Sequence, residues 1–388
     1  MTSKWFGRLA LLGVVLTLGV VVLGAYVRLS AAGLGCPDWP VCYGHLAWPT
    51  AEEHIAKANE AFPHRPVEVE KAWKEQVHRF FAASLGMIVF ALALAANWRP
   101  VSRRGMVFGA ALAALLGIFA YVGKMIALAA VLSLVAVLLP LYAATFWKGE
   151  WRARFTAGLL SLIIFQAMLG KWTVTLLVKP IIVTGHLFGG LATLVLMWLL
   201  WLRHRGALKL NNDDRHQGLR RFALAAIAVL LLQIFLGGWT STNYAALACP
   251  DFPTCQTQWL PEMDFGEAFV LWRGLGIDYE GGVLDNAARV AIHFSHRIGA
   301  ILVLLVVGSL VLSLRRRTKA AAHPDDAKLR MLGAVVGVLL IGQVLLGIAT
   351  VKLALPLGLA VAHNGGAALL LASLVTLGYA LWPRKETA

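Results

Sequence analysis

Within five residues, Glu75-Gln76-Val77-His78-Arg79, the sequence sets a carboxylate, an imidazole and a guanidinium at the mouth of an apolar stretch. A carboxylate takes or relays protons, and an imidazole binds a proton or a metal. Glu75 and His78 are three apart, so on a helix they share one face. The run that follows, Phe80 to Asn97, is long enough to cross a bilayer's hydrocarbon core at about 1.5 Å per residue. Ionisable groups on such a helix face the bundle interior and mark function, because lipid does not solvate them.

Three more histidines belong with His78. His78-Arg79 recurs as His296-Arg297, offset by 218 residues, and Gln166 to Gly170, with Thr173-Val174 and His186, recurs as Gln343 to Gly347, with Thr350-Val351 and His363, offset by 177. Two loops repeat as well: Cys36-Pro37-Asp38-Trp39-Pro40-Val41-Cys42 matches Cys249-Pro250-Asp251-Phe252-Pro253-Thr254-Cys255, with Gly24 and Leu34 matching Gly237 and Leu247, offset by 213. The chain is therefore two related halves in the same order. Each reads span, cysteine loop, His-Arg span, Gln/Gly/Thr span, His span. The fall in offset from 218 to 177 leaves about 41 extra residues in the first half. They are two inserted spans, 105–123 and 126–146, without a histidine, cysteine or acidic residue.

The elements that must position these groups follow from composition. With 388 residues, 59% hydrophobic and 14% charged, the chain is too apolar for a soluble domain and reads as a polytopic all-α membrane protein. Ten spans are expected: 8–27, 78–97, 105–123, 126–146, 155–175, 182–202, 222–241, 288–313, 330–350 and 358–381. They divide into an N-terminal four-helix bundle in 1–205, carrying the inserted hairpin 105–147, a cytoplasmic linker 206–221, and a C-terminal four-helix bundle in 222–388. The first span is not a cleaved signal, because its end recurs in the repeat.

The net charge of +15 does not call for a nucleic-acid partner. The short loops and termini on the amino-terminal side hold 22 Lys/Arg against 6 Asp/Glu, and the remaining stretches 13 against 14. That asymmetry puts both termini in the cytoplasm and loops 28–77 and 242–287 outside. His204, His216 and His323 then fall in basic cytoplasmic loops and His45, His54 and His64 in the first outer loop, where solvated surface explains them. His293 stands where the first half has Glu75, and its role is open.

Two symmetric histidine pairs, each from two helices of one bundle, suit a metal better than isolated core histidines do. Imidazole serves iron, copper and zinc. Zinc fits less well, because neither half offers a third and fourth ligand, whereas two imidazoles clamp a haem between axial positions. Gly185, Gly189 and Gly190, with Gly365 and Gly366, would admit a flat macrocycle, although close helix packing alone explains them equally. Arg79 and Arg297 would pair with haem propionates, or snorkel to the interface. The four cysteines lie in outward loops, paired within each loop, Cys36 with Cys42 and Cys249 with Cys255. Each bridge either shapes a loop over a haem or cycles to pass on electrons.

Taken together, these residues resemble the heme A synthase family, membrane enzymes that oxidise the carbon-8 methyl of haem O to a formyl group. The resemblance runs from Gly24 through His363 and rests on Glu75-x-x-His78-Arg79, the CPDWPVC loop, Gln166-x-x-x-Gly170-x-x-Thr173-Val174, His186, His296-Arg297 and His363. It implies two duplicated four-helix bundles, haem O as substrate at His78 and His186, a haem b between His296 and His363, and Glu75 as the essential carboxylate. Ten spans rather than eight is the departure. Haem O synthase, oxidase assembly factors and an electron-transfer partner are the implied associates, since neither a Rossmann fingerprint nor an iron-sulfur cysteine run is present. The start of the chain carries no Arg/Ser-rich transit segment, which favours a bacterial inner membrane. Two other functions use the same ligands: a di-haem b-type cytochrome taking electrons from quinol, and a haem carrier.

Overall fold

The computed structural model describes residues 4–208, 217–319 and 325–382. Among them ten helices are long and apolar enough to cross a membrane. Long runs of Leu, Val and Ala favour helix, and only a helix or a closed barrel satisfies its backbone hydrogen bonds in lipid. The first unit, Met1–Arg205, holds α1 (Lys4–Leu29), a short α2 (Glu52–Ala61), α3 (Val69–Ala96), α4 (Val101–Val122), α5 (Ile126–Phe146), α6 (Trp151–Thr175) and α7 (Pro180–Arg205). The second, Gly206–Ala388, holds α8 (Gln217–Thr242), a four-residue α9 (Phe265–Ala268), α10 (Asn286–Arg317), α11 (Asp326–Lys352) and α12 (Leu357–Leu381).

Contacts close a ring of four helices in each unit. In the first, α1 packs on α3 and α7, and α6 packs on α7 and α3. In the second, α8 packs on α10 and α12, and α11 packs on α12 and α10. The insertion α4–α5 is a tight hairpin outside the first ring, with α5 against α6 and α4 touching α3. Its exposed Leu, Val and Phe side chains, among them Phe108, Leu112 and Phe119, belong in lipid.

All ten expected spans coincide with helices, but the helices that carry His78 and His296 start earlier than the apolar runs. α3 begins at Val69, so the Glu75 box lies well inside a helix rather than at its mouth. Its first turns carry Glu70, Lys71 and Lys74, polar residues that continue the helix beyond the hydrocarbon. The turns before the other two histidine helices match. Leu177 and Val178 (φ 51° and 50°) precede Pro180, and Ala354 and Leu355 (φ 57° and 64°) precede Leu357. Val178 N–H closes its turn on Thr173 O at 2.7 Å, and Leu355 N–H on Thr350 O at 2.8 Å. Each turn leads into a helix whose paired histidine meets its counterpart on the facing helix. His216 and His323 lie outside the described residues.

Candidate haem-binding centres

On α3, Glu75, His78 and Arg79 share a face. The Glu75 carboxylate is 5% exposed and held twice: Oε1 accepts from Arg79 Nη2 at 2.6 Å, and Oε2 from the Cys36 amide at 3.1 Å. Arg79 spends its remaining donors on the cysteine loop, Nη1 on Asp38 O (2.8 Å) and Val41 O (2.7 Å), Nη2 also on Cys36 O (3.2 Å). The planar fork thus laces the loop to α3. Cys36 and Cys42 are bonded and buried, and the Asp38 carboxylate accepts from Tyr43 N (2.6 Å) and Gly44 N (2.7 Å). Tyr43 donates from its hydroxyl to Arg65 O or Pro66 O, each at 3.1 Å, and burial pushes its phenol up to about 12.

The second unit repeats this lacing with one change. Arg297 donates to Thr254 O (2.7 Å), Cys249 O (2.7 Å) and Asp251 O (2.8 Å). Cys249 and Cys255 are bonded, and Asp251 accepts from Gln256 N (2.6 Å) and Thr257 N (3.0 Å). The Thr254 hydroxyl and these amides hold the Asp251 carboxyl below the usual range. His293, 3% exposed, takes the place of Glu75: Cys249 N reaches its Nδ1 at 3.4 Å and Arg297 Nε its Nε2 at 3.3 Å. A neutral imidazole has one acceptor nitrogen, so it satisfies one of these donors at a time. The expectation that Arg79 and Arg297 pair with propionates therefore meets two guanidiniums already engaged by loop carbonyls.

The paired histidines come together. The rings of His78 and His186 have centroids 6.4 Å apart at 77°, and those of His296 and His363 are 6.5 Å apart at 87°. Two imidazole nitrogens each about 2 Å from a shared metal put their ring centres roughly 6 Å apart. Nδ1 of His78, His186 and His363 is buried without a hydrogen-bond partner, so each of these rings keeps a nitrogen that the protein leaves unused. Among the described residues no three His, Cys, Asp or Glu gather as a metal site, which suits a two-ligand group better than zinc. Each ring also lies against a glycine of the neighbouring helix. A β-carbon on Gly24, Gly170, Gly237 or Gly347 would come within 3.1, 3.3, 3.0 and 3.0 Å of Cε1 of His78, His186, His296 and His363. Spacing, unused nitrogens and glycine cradles all fit a haem in each unit.

A profile of the cytochrome oxidase assembly protein family (COX15-CtaA) matches residues 7–127 and 120–375, nearly the whole chain. The chain belongs to that family. Within it, the chain is 39% identical to the heme A synthase of Shewanella oneidensis over 387 residues, covering 100% of this chain and 99% of the relative. It is 32% identical to the heme A synthase of Methylobacterium radiotolerans over 231 residues (56% and 57% of the two chains), and 27% identical to that of Halalkalibacterium halodurans over 319 residues (81% and 76%).

One part of this family member's site escaped the sequence reading. Gln166, Gln233 and Gln343 each donate to the backbone carbonyl of a paired histidine, His186 (2.6 Å), His296 (2.9 Å) and His363 (2.9 Å). Gln166 and Gln343 were visible as landmarks, Gln233 was not. Its signal was the Gln-x-x-x-Gly spacing itself, present three times, at 166/170, 233/237 and 343/347.

Proposed function

We propose that the chain is a heme A synthase of a bacterial inner membrane, both termini cytoplasmic, that oxidises the carbon-8 methyl of haem O to an alcohol and then to an aldehyde. The observation that carries this reading is the full-length similarity to the Shewanella oneidensis heme A synthase, joined to two histidine pairs of which one alone has a carboxylate one helical turn away. On this reading residues 1–205 form the substrate half, with the hairpin 105–147 inserted in it, and residues 222–388 the haem b half, joined through 206–221.

His78 and His186 would hold haem O by its iron, and His296 and His363 would hold haem b. Bound haem b supplies one-electron transfer. Glu75 is the group that takes or relays protons. Methyl to alcohol takes its oxygen from water and releases two electrons and two protons, alcohol to aldehyde releases two more of each, and the carboxylate that would accept these protons lies one turn from His78 on the same face. Arg79 orients the Glu75 carboxylate through Oε1, and the Cys36 amide holds Oε2, so the acid is fixed to the loop that covers the helix end. The paired cysteines keep that loop folded. The second half has His293 there, and so lacks the acid. The electrons leave to a partner protein or quinone, haem O arrives from haem O synthase, and the product passes to oxidase assembly.

The test is extraction of pigments from cells that make haem O, with and without the chain. Formyl haem should appear only with it. Haem O left unchanged, in membranes where quinol reduces the protein's haems, would instead make it a di-haem cytochrome.

A further inference from the structure

The four paired histidines are not held alike. For three of them the helix before carries a glutamine four residues ahead of the cradle glycine, and the amide of that glutamine grips the histidine's carbonyl. The grip needs room. A β-carbon on Gly189, Gly299 or Gly366, each three residues after its histidine, would overlap the amide oxygen of Gln166, Gln233 or Gln343. Glutamine and glycine are thus one device, and neither works without the other.

At His78 both parts are replaced. Val20 stands four residues ahead of Gly24 and Phe81 stands three after His78. Valine has no donor, and Phe81 carries a side chain at the position where the other three helices have glycine. The cradle Gly24 remains, so the ring still has its resting place against α1. What is gone is the bond that fixes α3 to α1 at the histidine's own carbonyl. Phe81 is 47% exposed, so it does not lock the two helices by burial instead.

From this we infer that His78 is the exchangeable ligand of the first half. The backbone carbonyls of His186, His296 and His363 are tied across to the preceding span, whereas α3 is held beside His78 through Arg79 to the cysteine loop and not at the histidine's own carbonyl, so His78 is the ligand that swings off and returns as haem O enters and its product leaves. The inference rests on the substrate assignment made above. A half that binds and releases its haem at every turnover needs one ligand that lets go, and a half with a resident haem does not.

Two measurements on the full chain in detergent or nanodiscs test it. The first is backbone hydrogen exchange without added haem, comparing the segment around His78 with those around His186, His296 and His363. It should exchange faster, and V20Q/F81G, which installs the missing device, should slow it roughly threefold to tenfold, the range of a single interhelical hydrogen bond. The second loads the protein with hemin, reduces it and adds carbon monoxide, which binds only where an axial ligand yields. The first-half haem should take up carbon monoxide and the second-half haem should not. V20Q/F81G should close the first, and Gln233→Val should open the second. Equal exchange at all four histidines in the wild-type chain, or carbon monoxide uptake indifferent to these changes, overturns the inference. Neither readout needs haem O oxidation, so a failure of the enzymatic assignment shows separately in the pigment extraction.

Discussion

Glu75 and His293 are structural counterparts: each sits three residues before a paired histidine, and each receives the amide of the first cysteine in its loop, at 3.1 Å for Glu75 and 3.4 Å for His293. Fastening the loop is therefore a duty both halves share, and the negative charge is what the first half adds. The two duties separate by substitution. Glu75→Gln keeps an oxygen for the Cys36 amide and loses the charge, and Glu75→His copies the second half. Both variants should keep the Cys36–Cys42 bond and the haem proposed for the second half, while formyl-haem production falls at least about 100-fold, the usual worth of a positioned acid or base. Pigment extraction and thiol labelling check the two parts. Wild-type product from either variant would remove Glu75 from the chemistry.

The Glu75–Arg79 pair is buried, with side-chain exposures of 7% and 13%. Removing one partner of such a pair strands a charge and costs about 3–5 kcal/mol. Arg79→Ala also frees three loop carbonyls. Its thermal midpoint should fall well below that of the wild type, and Arg79→Ala with Glu75→Gln should recover part of the loss, because the stranded carboxylate is gone. A double variant less stable than Arg79→Ala alone would mean that the loop carbonyls, not the ion pair, dominate. Calorimetry in detergent measures all three.

How far the sequence exposes this arrangement depends on what is local. Ten spans are legible because an apolar run of the right length has one solution in lipid, and the repeat is legible because the cysteine loops and His-Arg pairs keep their residue types. The start of α3 at Val69 is hidden because Glu70, Lys71 and Lys74 carry the helix past the apolar run. Gln233 is hidden for a sharper reason. The offset of 213 sets it opposite Val20, the single place where the pattern breaks, so comparing halves erases it. The Arg79 and Arg297 contacts depend on how each loop folds back over its helix, and nothing in the residue types separates a loop carbonyl from a propionate as their partner.

Tyr43 ties the first loop to the segment before α3, and its phenol is raised to about 12 by burial. Raising the pKa of an acid in the folded state means that the folded form keeps the proton longer. The stabilisation is complete below the unfolded value near 10 and is lost as pH climbs from 10 through 12. Hydrogen exchange across the first cysteine loop should accelerate over that window. Tyr43→Phe should flatten the response while leaving the loop looser at neutral pH, since the bonds to Arg65 and Pro66 are gone. A loop equally alkali-sensitive in both proteins would assign the transition to another group.

The inserted hairpin also reaches the site. Tyr121, in the last turn of α4, meets the Trp39 ring of the cysteine loop edge-on at 6.2 Å, and Lys171 of α6 places Nζ 4.7 Å from the centre of the Tyr121 ring. The hairpin thus braces the loop that holds Glu75 and is tied through Lys171 to the residue next to the His186 cradle, Gly170. An aromatic pair is worth about 0.5–1.5 kcal/mol and a cation over a ring a similar amount. Tyr121→Ala should therefore speed reductive opening of Cys36–Cys42 by roughly threefold to tenfold and leave Cys249–Cys255 unchanged, because the Tyr121 ring meets the first loop at Trp39. Tyr121→Phe keeps both ring contacts and should behave as wild type. Mass-resolved thiol labelling after timed reduction reads the two bridges separately, and equal acceleration of both, or of neither, would show that the hairpin does not brace the loop.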